Sequence, residues 1–298
     1  MKVPGRRRGA EVTKRRTLWQ WVSLVAANLY ALPVLKHLPY PFLHCYACPL
    51  AIGACPVGTV QYFLALGRVP LFTLGALGAI GAWWGRRTCG WLCPFGFLQE
   101  LGHRLGRRLH LPVLRVSNRH AWTRWAVAAV LVVALPVALH EPWFCKLCPA
   151  GTLEGGIPWL AIDPGLRQMV GVLFGIKVAI LLGLLAAVLV VKRPFCRFAC
   201  PIGLFYGLTN RFSHQHLQVG PRCTGCGWCR DLCPMDHEVW RDPRSSQCIL
   251  CLECTRCRHV RLAQHGTETG TPSAPGHPLT GPFRPGEHEA PGPSRTVR

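Results

Sequence analysis

Acidic side chains are scarce in this chain of 298 residues, which carries 13 Asp and Glu against 34 Lys and Arg. The resulting net charge of +21 would suit a nucleic-acid partner, but no basic stripe interleaves with aromatic side chains. The arginines cluster instead beside apolar segments, where membrane topology accounts for them. We therefore expect a lipid membrane as a partner and no nucleic acid.

Charged residues of both signs make up only 16% of the chain, and half of its composition is apolar. Four apolar segments approach the roughly 20 residues that a helix needs to cross a bilayer. No small-residue cleavage site follows the first of them, so we do not expect a cleaved signal peptide. The four segments are residues 18–35, 69–84, 122–139 and 169–191.

Basic residues near the segment ends predict the orientation. Nineteen Lys and Arg lie on one side, against Lys36, Arg68, Lys146 and Arg167 on the other. Cytoplasmic loops carry the excess of basic residues, so we expect a multi-pass protein of the inner (cytoplasmic) membrane with both termini in the cytoplasm. Residues 1–17 would form a basic cytoplasmic arm and residues 18–212 the transmembrane domain. Residues 263–298, rich in Pro, Gly, Thr and Ser, predict a disordered tail.

Cysteine is abundant, with 17 residues in a chain too long to be a small disulfide-stapled domain. Clustered cysteines in such a chain more often bind metal. The predicted membrane domain repeats itself: each half has an outer Cys-Pro-x-Gly turn, an apolar segment and an inner Cys-x3-Cys-Pro-x-Gly string. Two repeats in the same orientation imply a pseudo-two-fold axis along the membrane normal, which would bring the inner cysteines together. These are Cys89, Cys93, Cys196 and Cys200.

Four converging thiolates are the ligand set of a 4Fe–4S cluster or of a structural zinc ion. Cysteine can also serve as a small apolar residue at a helix end, with proline as a helix start. Because the whole string is repeated, ligation is the better interpretation of the inner cysteines.

The predicted outer side carries an odd number of cysteines. These five thiols could hold a metal or cluster, or they could form disulfides, because the outer compartment is oxidising. The sequence leaves both alternatives open. The five are Cys45, Cys48, Cys55, Cys145 and Cys148.

Two cysteine runs after the membrane part predict a small α+β domain of the bacterial ferredoxin type with two 4Fe–4S clusters, over residues 213–262. In such runs the fourth cysteine binds the cluster of the other run. One cluster would use Cys223, Cys226, Cys229 and Cys257, and the other Cys248, Cys251, Cys254 and Cys233. The second run departs from the pattern, because its last spacing is x2 and Arg258 stands where proline is expected. This departure leaves the role of Cys257 open.

With these motifs in the same order over about residues 18–257, the chain resembles the NapH-type membrane polyferredoxins and their NosR-like relatives. Those relatives include cytochrome-oxidase assembly reductases. The resemblance implies a quinol dehydrogenase-like electron-transfer subunit that links the quinone pool to another redox protein. No flavin-binding outer domain accompanies these motifs here, unlike in a full NosR.

Polar residues within or beside the apolar segments are candidates for a quinol site, which needs hydrogen-bond partners and a base. They can equally be interfacial, with a lysine that reaches outward to water. The candidates are Lys177, Asn28, His37, His44, His140 and Glu141.

The sequence thus predicts an all-α membrane bundle of about four helices with a two-fold repeat, followed by the ferredoxin domain. The favoured function is electron transfer from quinol through two 4Fe–4S clusters, with a possible third at the inner cysteines, to a redox protein. The alternatives are a membrane thiol–disulfide conduit and a metallocentre-assembly or copper-reductase factor.

Overall fold

The computed structural model describes residues 4–29, 40–46 and 54–264. The described chain is mostly helical, with one two-stranded sheet. His37, Cys48 and residues 265–298 of the predicted tail lie outside the described residues. The α-helices are Pro4–Ala27, Pro56–Ala65, Leu71–Trp84, Arg87–Trp91, Pro94–Arg108, Thr123–Val127, Leu135–Leu139, Trp143–Leu147, Pro149–Gly151, Ile157–Ile162, Val172–Val190, Pro194–Phe198, Pro201–Thr209 and Trp228–Leu232.

Two helical stretches of the described chain are long and apolar enough to cross a membrane, namely His120–Leu139 and Val172–Val190. They coincide with the third and fourth predicted segments. The first stretch is continuous but contains a wider π-helical part over Ala128–Ala134. The second predicted segment contains the shorter apolar helix Leu71–Trp84.

The predicted bundle of four spans is not confirmed, since two helices within the described residues are long and apolar enough to cross a membrane. The second segment is short because the chain turns at Gly67, whose φ is +66°, between helix Pro56–Ala65 and helix Leu71–Trp84. Glycine suits that left-handed conformation because it has no Cβ. The first segment is partly outside the described residues, and its described part belongs to helix Pro4–Ala27.

Helix Pro4–Ala27 runs without a break across the predicted boundary between residues 17 and 18. Its Val12 packs on the core of the ferredoxin-type domain. The Thr13 hydroxyl donates to Glu253 Oε2 at 2.9 Å. The basic arm is therefore the first part of a longer helix that is docked on the C-terminal domain.

A Cys-Pro pair begins each of four helices, at Pro56, Pro94, Pro149 and Pro201. In each case the cysteine occupies the N-cap position and the proline occupies the first helical position. Proline suits that position because its fixed φ is helical and its missing N–H has no intrahelical partner there. The repeated sequence string therefore has a repeated local structure.

The ferredoxin-type domain is closed by an antiparallel pair of strands, Gln215–Val219 and Val260–Gln264. The register places Gln215 opposite Gln264 and Val219 opposite Val260. Both cysteine runs lie between the strands in sequence, with helix Trp228–Leu232 in the first run. This agrees with the predicted small α+β domain.

Candidate iron–sulfur sites

The first ferredoxin run gathers four thiols. Cys229 interacts electrostatically with Cys257, Cys223 and Cys226. Cys257, the residue left open by the irregular spacing, therefore lies where a fourth ligand is needed.

The second run gathers another four thiols. Cys254 interacts with Cys251, Cys248 and Cys233. Each run thus supplies three thiols to its own group and one to the other group, as the spacing predicts.

The backbone of the two runs also repeats. Positive φ angles occur at Gly225 and Gly227, two and four residues after the first cysteine of the first run. They recur at Leu250 and Leu252, at the same offsets in the second run. A left-handed leucine is strained and persists only where its surroundings impose it. The shared conformation indicates that both runs wrap around a similar object.

The predicted inner cysteines converge at a third place. Cys93 interacts electrostatically with Cys196, Cys89 and Cys200, and all four side chains are buried. They come from both halves of the sequence repeat, as the predicted pseudo-two-fold axis requires. We call this group the proximal quartet, because it contacts the ferredoxin-type domain.

Backbone and side-chain N–H groups point at the sulfur atoms of the proximal quartet. Gly96 N–H donates to Cys93 Sγ at 3.4 Å, and Gly203 N–H donates to Cys200 Sγ at 3.3 Å. Gln99 Nε2 lies 3.2 Å from Cys196 Sγ. Such donors stabilise sulfur that carries negative charge, as in a cluster ligand.

Two buried arginines tie the halves of the proximal quartet together. Arg86 and Arg193 each stand three residues before the first cysteine of their own half. Arg193 Nη1 donates to the Cys89 carbonyl at 3.0 Å, and Arg86 Nη2 donates to the Cys196 carbonyl at 3.5 Å. Each arginine therefore reaches the first cysteine of the opposite half, which places two positive charges beside the four thiols.

Glu100 is a buried carboxylate that pairs with one of these two arginines. It pairs with Arg193 at 2.6 Å and also with Arg16 from the N-terminal helix. Arg16 in turn pairs with Glu253 of the ferredoxin-type domain at 3.1 Å. Burial alone would raise the pKa of Glu100, but Arg193 and Arg16 hold it below its usual value. The network joins the N-terminal helix, the proximal quartet and the ferredoxin-type domain.

The proximal quartet touches the second ferredoxin group directly. A Cβ built on Gly90 would lie 2.5 Å from the Ile249 carbonyl oxygen and 3.5 Å from Cys251 Cα. Trp91 Nε1 donates to the Leu250 carbonyl at 3.1 Å. Glycine at position 90 therefore permits backbone-to-backbone contact between two thiol groups.

Four of the predicted outer cysteines form a further group. Cys148 interacts electrostatically with Cys55, Cys145 and Cys45. These thiols line one small cavity together with apolar side chains such as Leu43 and Phe144. We call this group the distal quartet. Cys48 lies outside the described residues.

The quinol-site candidates that the structure describes do not all come together at one place. His140 and Glu141 are exposed; His140 Nδ1 contacts the Ala65 carbonyl at 2.8 Å, and Glu141 pairs with Lys146. Asn28 donates to the Leu24 carbonyl of its own helix at 2.9 Å.

His44 and Lys177 lie near the distal quartet instead. His44 is fully buried, with its Nδ1 3.0 Å from Glu154 Oε2, and it lines the same cavity. The half-buried Lys177 interacts with Cys145.

The donor sets fit iron–sulfur clusters better than single metal ions. Among the described residues, no three His, Cys, Asp or Glu side chains are spaced to hold one metal ion. Thiolates around a zinc ion would lie about 3.8 Å apart, given Zn–S bonds of about 2.3 Å in a tetrahedron. A four-iron cluster needs a wider set of four thiolates.

The thiols by themselves are not anionic. Burial raises the pKa of Cys248 to about 12, and burial together with the neighbouring sulfurs raises the pKa of Cys229 to about 12. Bound iron stabilises the thiolate form and releases the protons.

Sequence reasoning missed the polar residues around the proximal quartet: Arg16, Arg86, Gln99, Glu100 and Arg193. A signal for three of them was present. Arg-x2-Cys-x3-Cys-Pro-x-Gly occurs at Arg86 and again at Arg193, and Cys-Pro-x-Gly-x2-Gln occurs at Cys55 and again at Cys93. Arg16 and Glu100 have no such counterpart, so only the folded chain reveals them.

Comparison with known proteins identifies one matching family, which covers part of these cysteine groups. The family described as "4Fe-4S binding domain" matches residues 66–112, 121–165 and 173–220. These three stretches contain the whole proximal quartet, and they also contain Cys145 and Cys148 of the distal quartet. No solved structure matches the chain.

Several curated proteins are similar to the chain. An uncharacterized protein of Methanocaldococcus jannaschii is 29% identical over 70% of this chain and 85% of its own length. The methylamine utilization ferredoxin-type protein MauN of Methylorubrum extorquens is 30% identical over 73% of this chain and 68% of its own. The regulatory protein NosR of Pseudomonas aeruginosa is 29% identical, over 59% of this chain and 24% of its own.

The comparisons confirm the predicted polyferredoxin family with NosR-like relatives, and with it a ferredoxin-type 4Fe–4S electron-transfer protein. The cysteine groups and these relatives show that the chain belongs to the ferredoxin-type 4Fe–4S family that includes MauN.

Proposed function

We propose that this chain oxidises quinol in the inner membrane and passes the electrons, through the proximal quartet and the two ferredoxin groups, to another redox protein. The contact of Gly90 with Cys251 carries this proposal. It places a ligand loop of the proximal quartet against a ligand of the second ferredoxin group. Short separations of this kind are what an electron path requires.

The proximal quartet and each of the two ferredoxin groups would hold one 4Fe–4S cluster, which takes up and gives off one electron at a time. Oxidation of one quinol yields quinone, two protons and two electrons. The two electrons therefore leave one after the other, and the two protons pass to a nearby base and then to water.

The chain's own residues set the path. Arg86 and Arg193 compensate the negative charge that four thiolates bring into a buried place. The interaction of Cys254 with Cys229 brings the two ferredoxin groups next to each other. Together with the Gly90 contact, this gives an unbroken order from the proximal quartet to the second group and on to the first.

The proposed topology keeps four membrane crossings and both termini in the cytoplasm. The proximal quartet and the ferredoxin-type domain then lie on the cytoplasmic side. Reporter fusions after Gly106 and after Arg211 should read as cytoplasmic, and a fusion at Gly155 as outer. A cytoplasmic reading at Gly155 would contradict the four-crossing arrangement.

The test is anaerobic purification of the full chain in detergent, with iron and sulfide analysis and EPR spectra before and after addition of a quinol analogue. We expect quinol to reduce the ferredoxin clusters of the wild type. In the Cys93→Ser variant, dithionite should still reduce those clusters while quinol should not. Equal reduction by quinol and dithionite in that variant would show that the proximal quartet does not lie on the electron path.

A further inference from the structure

The distal quartet is built like the proximal quartet. Gln99, six residues after Cys93, donates to Cys196 Sγ at 3.2 Å and accepts from Phe195 N–H at 3.2 Å. Gln61 stands six residues after Cys55 and makes the same pair of contacts. It donates to Cys145 Sγ at 3.3 Å and accepts from Phe144 N–H at 2.9 Å.

The second half of the repeat supplies a matching pair of contacts. Glu154, six residues after Cys148, meets His44, the residue before Cys45. Tyr206, six residues after Cys200, lies beside Thr88 and Cys89, and its hydroxyl donates to the Pro41 carbonyl at 3.0 Å. In both quartets, the sixth residue after the cysteine of a Cys-Pro turn thus lies beside the first cysteine of the other half.

The Cys-Pro-x-Gly turns of the distal quartet place a glycine beside each turn cysteine, Gly58 beside Cys55 and Gly151 beside Cys148. Neither sulfur makes the helix-capping hydrogen bond that Cys93 and Cys200 make. The two glycines face the opposite half. A Cβ on Gly58 would lie 3.6 Å from Cys145 Sγ, and a Cβ on Gly151 would lie 3.5 Å from Cys45 Sγ. The reciprocal arrangement is that of a two-fold site.

Charge and spacing point to a ligand at this place. The ammonium group of Lys177 interacts with Cys145, so a cation lies beside the distal thiols as arginines lie beside the proximal ones. Within the described residues, Cys55, Cys145 and Cys148 form no disulfide. No described group of three donors is spaced for a single ion. The four cysteines line one small cavity together with Leu43, His44 and Phe144.

We propose that Cys45, Cys55, Cys145 and Cys148 bind an additional iron–sulfur cluster, at a place remote from the ferredoxin-type domain. The proposal goes beyond the proposed function, which needs only the proximal quartet and the ferredoxin groups. It gives the chain a redox centre beside the first third of helix Val172–Val190, where Lys177 lies. Lys177 and Val190 are thirteen residues apart, or about 20 Å along the helix.

The test uses the full chain, purified anaerobically, and counts iron and acid-labile sulfide per chain. Four occupied quartets correspond to about 16 iron atoms. The double variant Cys55→Ser/Cys145→Ser should contain about 4 iron and about 4 sulfide fewer than the wild type, while the EPR signals of the ferredoxin clusters persist. Cys48→Ser is the matched control, since Cys48 is the one cysteine outside the four quartets, and its iron content should equal that of the wild type.

A second variant tests the distal site without removing a thiol, in case the double variant misfolds. Gln61→Leu keeps all four thiols and should keep the iron while it shifts an EPR signal that Gln99→Leu leaves unchanged. Unchanged iron in the double variant would overturn the proposal. So would disulfides at the distal cysteines, detected by mass spectrometry of alkylated wild-type protein. Loss of iron in Cys48→Ser would also contradict the assignment of ligands. None of these measurements uses quinol, so failure of quinol oxidation would leave this result standing.

Discussion

The proximal and distal quartets share a scaffold but differ in the charges around it. Both draw their thiols from both halves of the repeat, and both place a glutamine on the third thiol, Gln99 on Cys196 and Gln61 on Cys145. The proximal quartet has two fully buried arginines, Arg86 and Arg193, and Arg193 belongs to a network of ion pairs. The distal quartet has the half-buried Lys177 and a buried histidine–glutamate pair.

This difference shows which features of a site are encoded by the repeated sequence. The thiols and the backbone turns follow the repeated string, so both quartets have them. The charges come from positions that differ between the quartets. Since the net charge near a cluster helps to set its reduction potential, one scaffold can place two centres at different potentials.

The largest expected effect is on stability at the proximal quartet. Arg193→Met removes one partner of a buried ion network and leaves Glu100 with reduced compensation. Such a loss typically costs about 3–5 kcal/mol. Thermal unfolding in detergent should show it, whereas Lys177→Met at the distal quartet should cost less than about 1 kcal/mol. Equal losses in the two variants would mean that the charges around the quartets are not structurally different.

The next effect concerns the reduction potential of a proximal cluster. Arg86→Gln removes a buried positive charge, worth about 3 kcal/mol at 6 Å with an effective dielectric constant of about 20. This corresponds to a decrease on the order of 100 mV in a one-electron potential. Redox titration followed by EPR measures it. Arg86→Lys keeps the charge and should retain most of the potential; an equal decrease in both variants would indicate a structural cause.

A smaller effect separates the glycines of the two quartets. A Cβ at Gly203 would lie 2.8 Å from Arg86 Nη2, whereas a Cβ at Gly151 would lie 3.5 Å from Cys45 Sγ, an ordinary contact. Gly203→Ala should therefore destabilise the protein by about 1–3 kcal/mol through overpacking. Gly151→Ala should be close to neutral in the same unfolding measurement. A larger loss in Gly151→Ala would contradict the described geometry.

The smallest effect is on the hydrogen bond from glutamine to sulfur. Gln99→Leu removes one donor, worth about 0.5–1.5 kcal/mol, so a proximal cluster should become harder to reduce by about 20–65 mV. The signals of the ferredoxin groups should not move. Gln99→Glu serves as a control of similar shape that also lacks the donor. A potential that stays constant in both variants would show that Gln99 does not act on the cluster.

The ferredoxin pairing was predictable because it is local. Three thiols of each group lie within a stretch of seven residues, and the fourth follows from the exchange between two neighbouring runs. Only the position of Cys257 had to be read from the fold, which places this residue with Cys223 and Cys226. The convergence of the inner cysteines was also predictable, since a repeat in one orientation implies an axis.

The partners of the thiols were not predictable in the same way. Gln99 and Cys196 are 97 residues apart, and Arg16 and Glu253 are 237 apart. Neither pair has a spacing or composition signal, since each contact depends on how the helices pack. The four predicted spans were not all confirmed within the described residues, because the turn at Gly67 shortens the second apolar segment.

By itself, the sequence determined the chemistry: thiols in repeated Cys-Pro turns, apolar segments and a ferredoxin run, all encoded by neighbours along the chain. The tertiary structure alone decided which thiols share a quartet on the distal side and which charges surround each quartet. It also decided that the N-terminal helix joins the two domains through Arg16. These contacts join distant positions, and burial makes them strong by excluding water from between the charges.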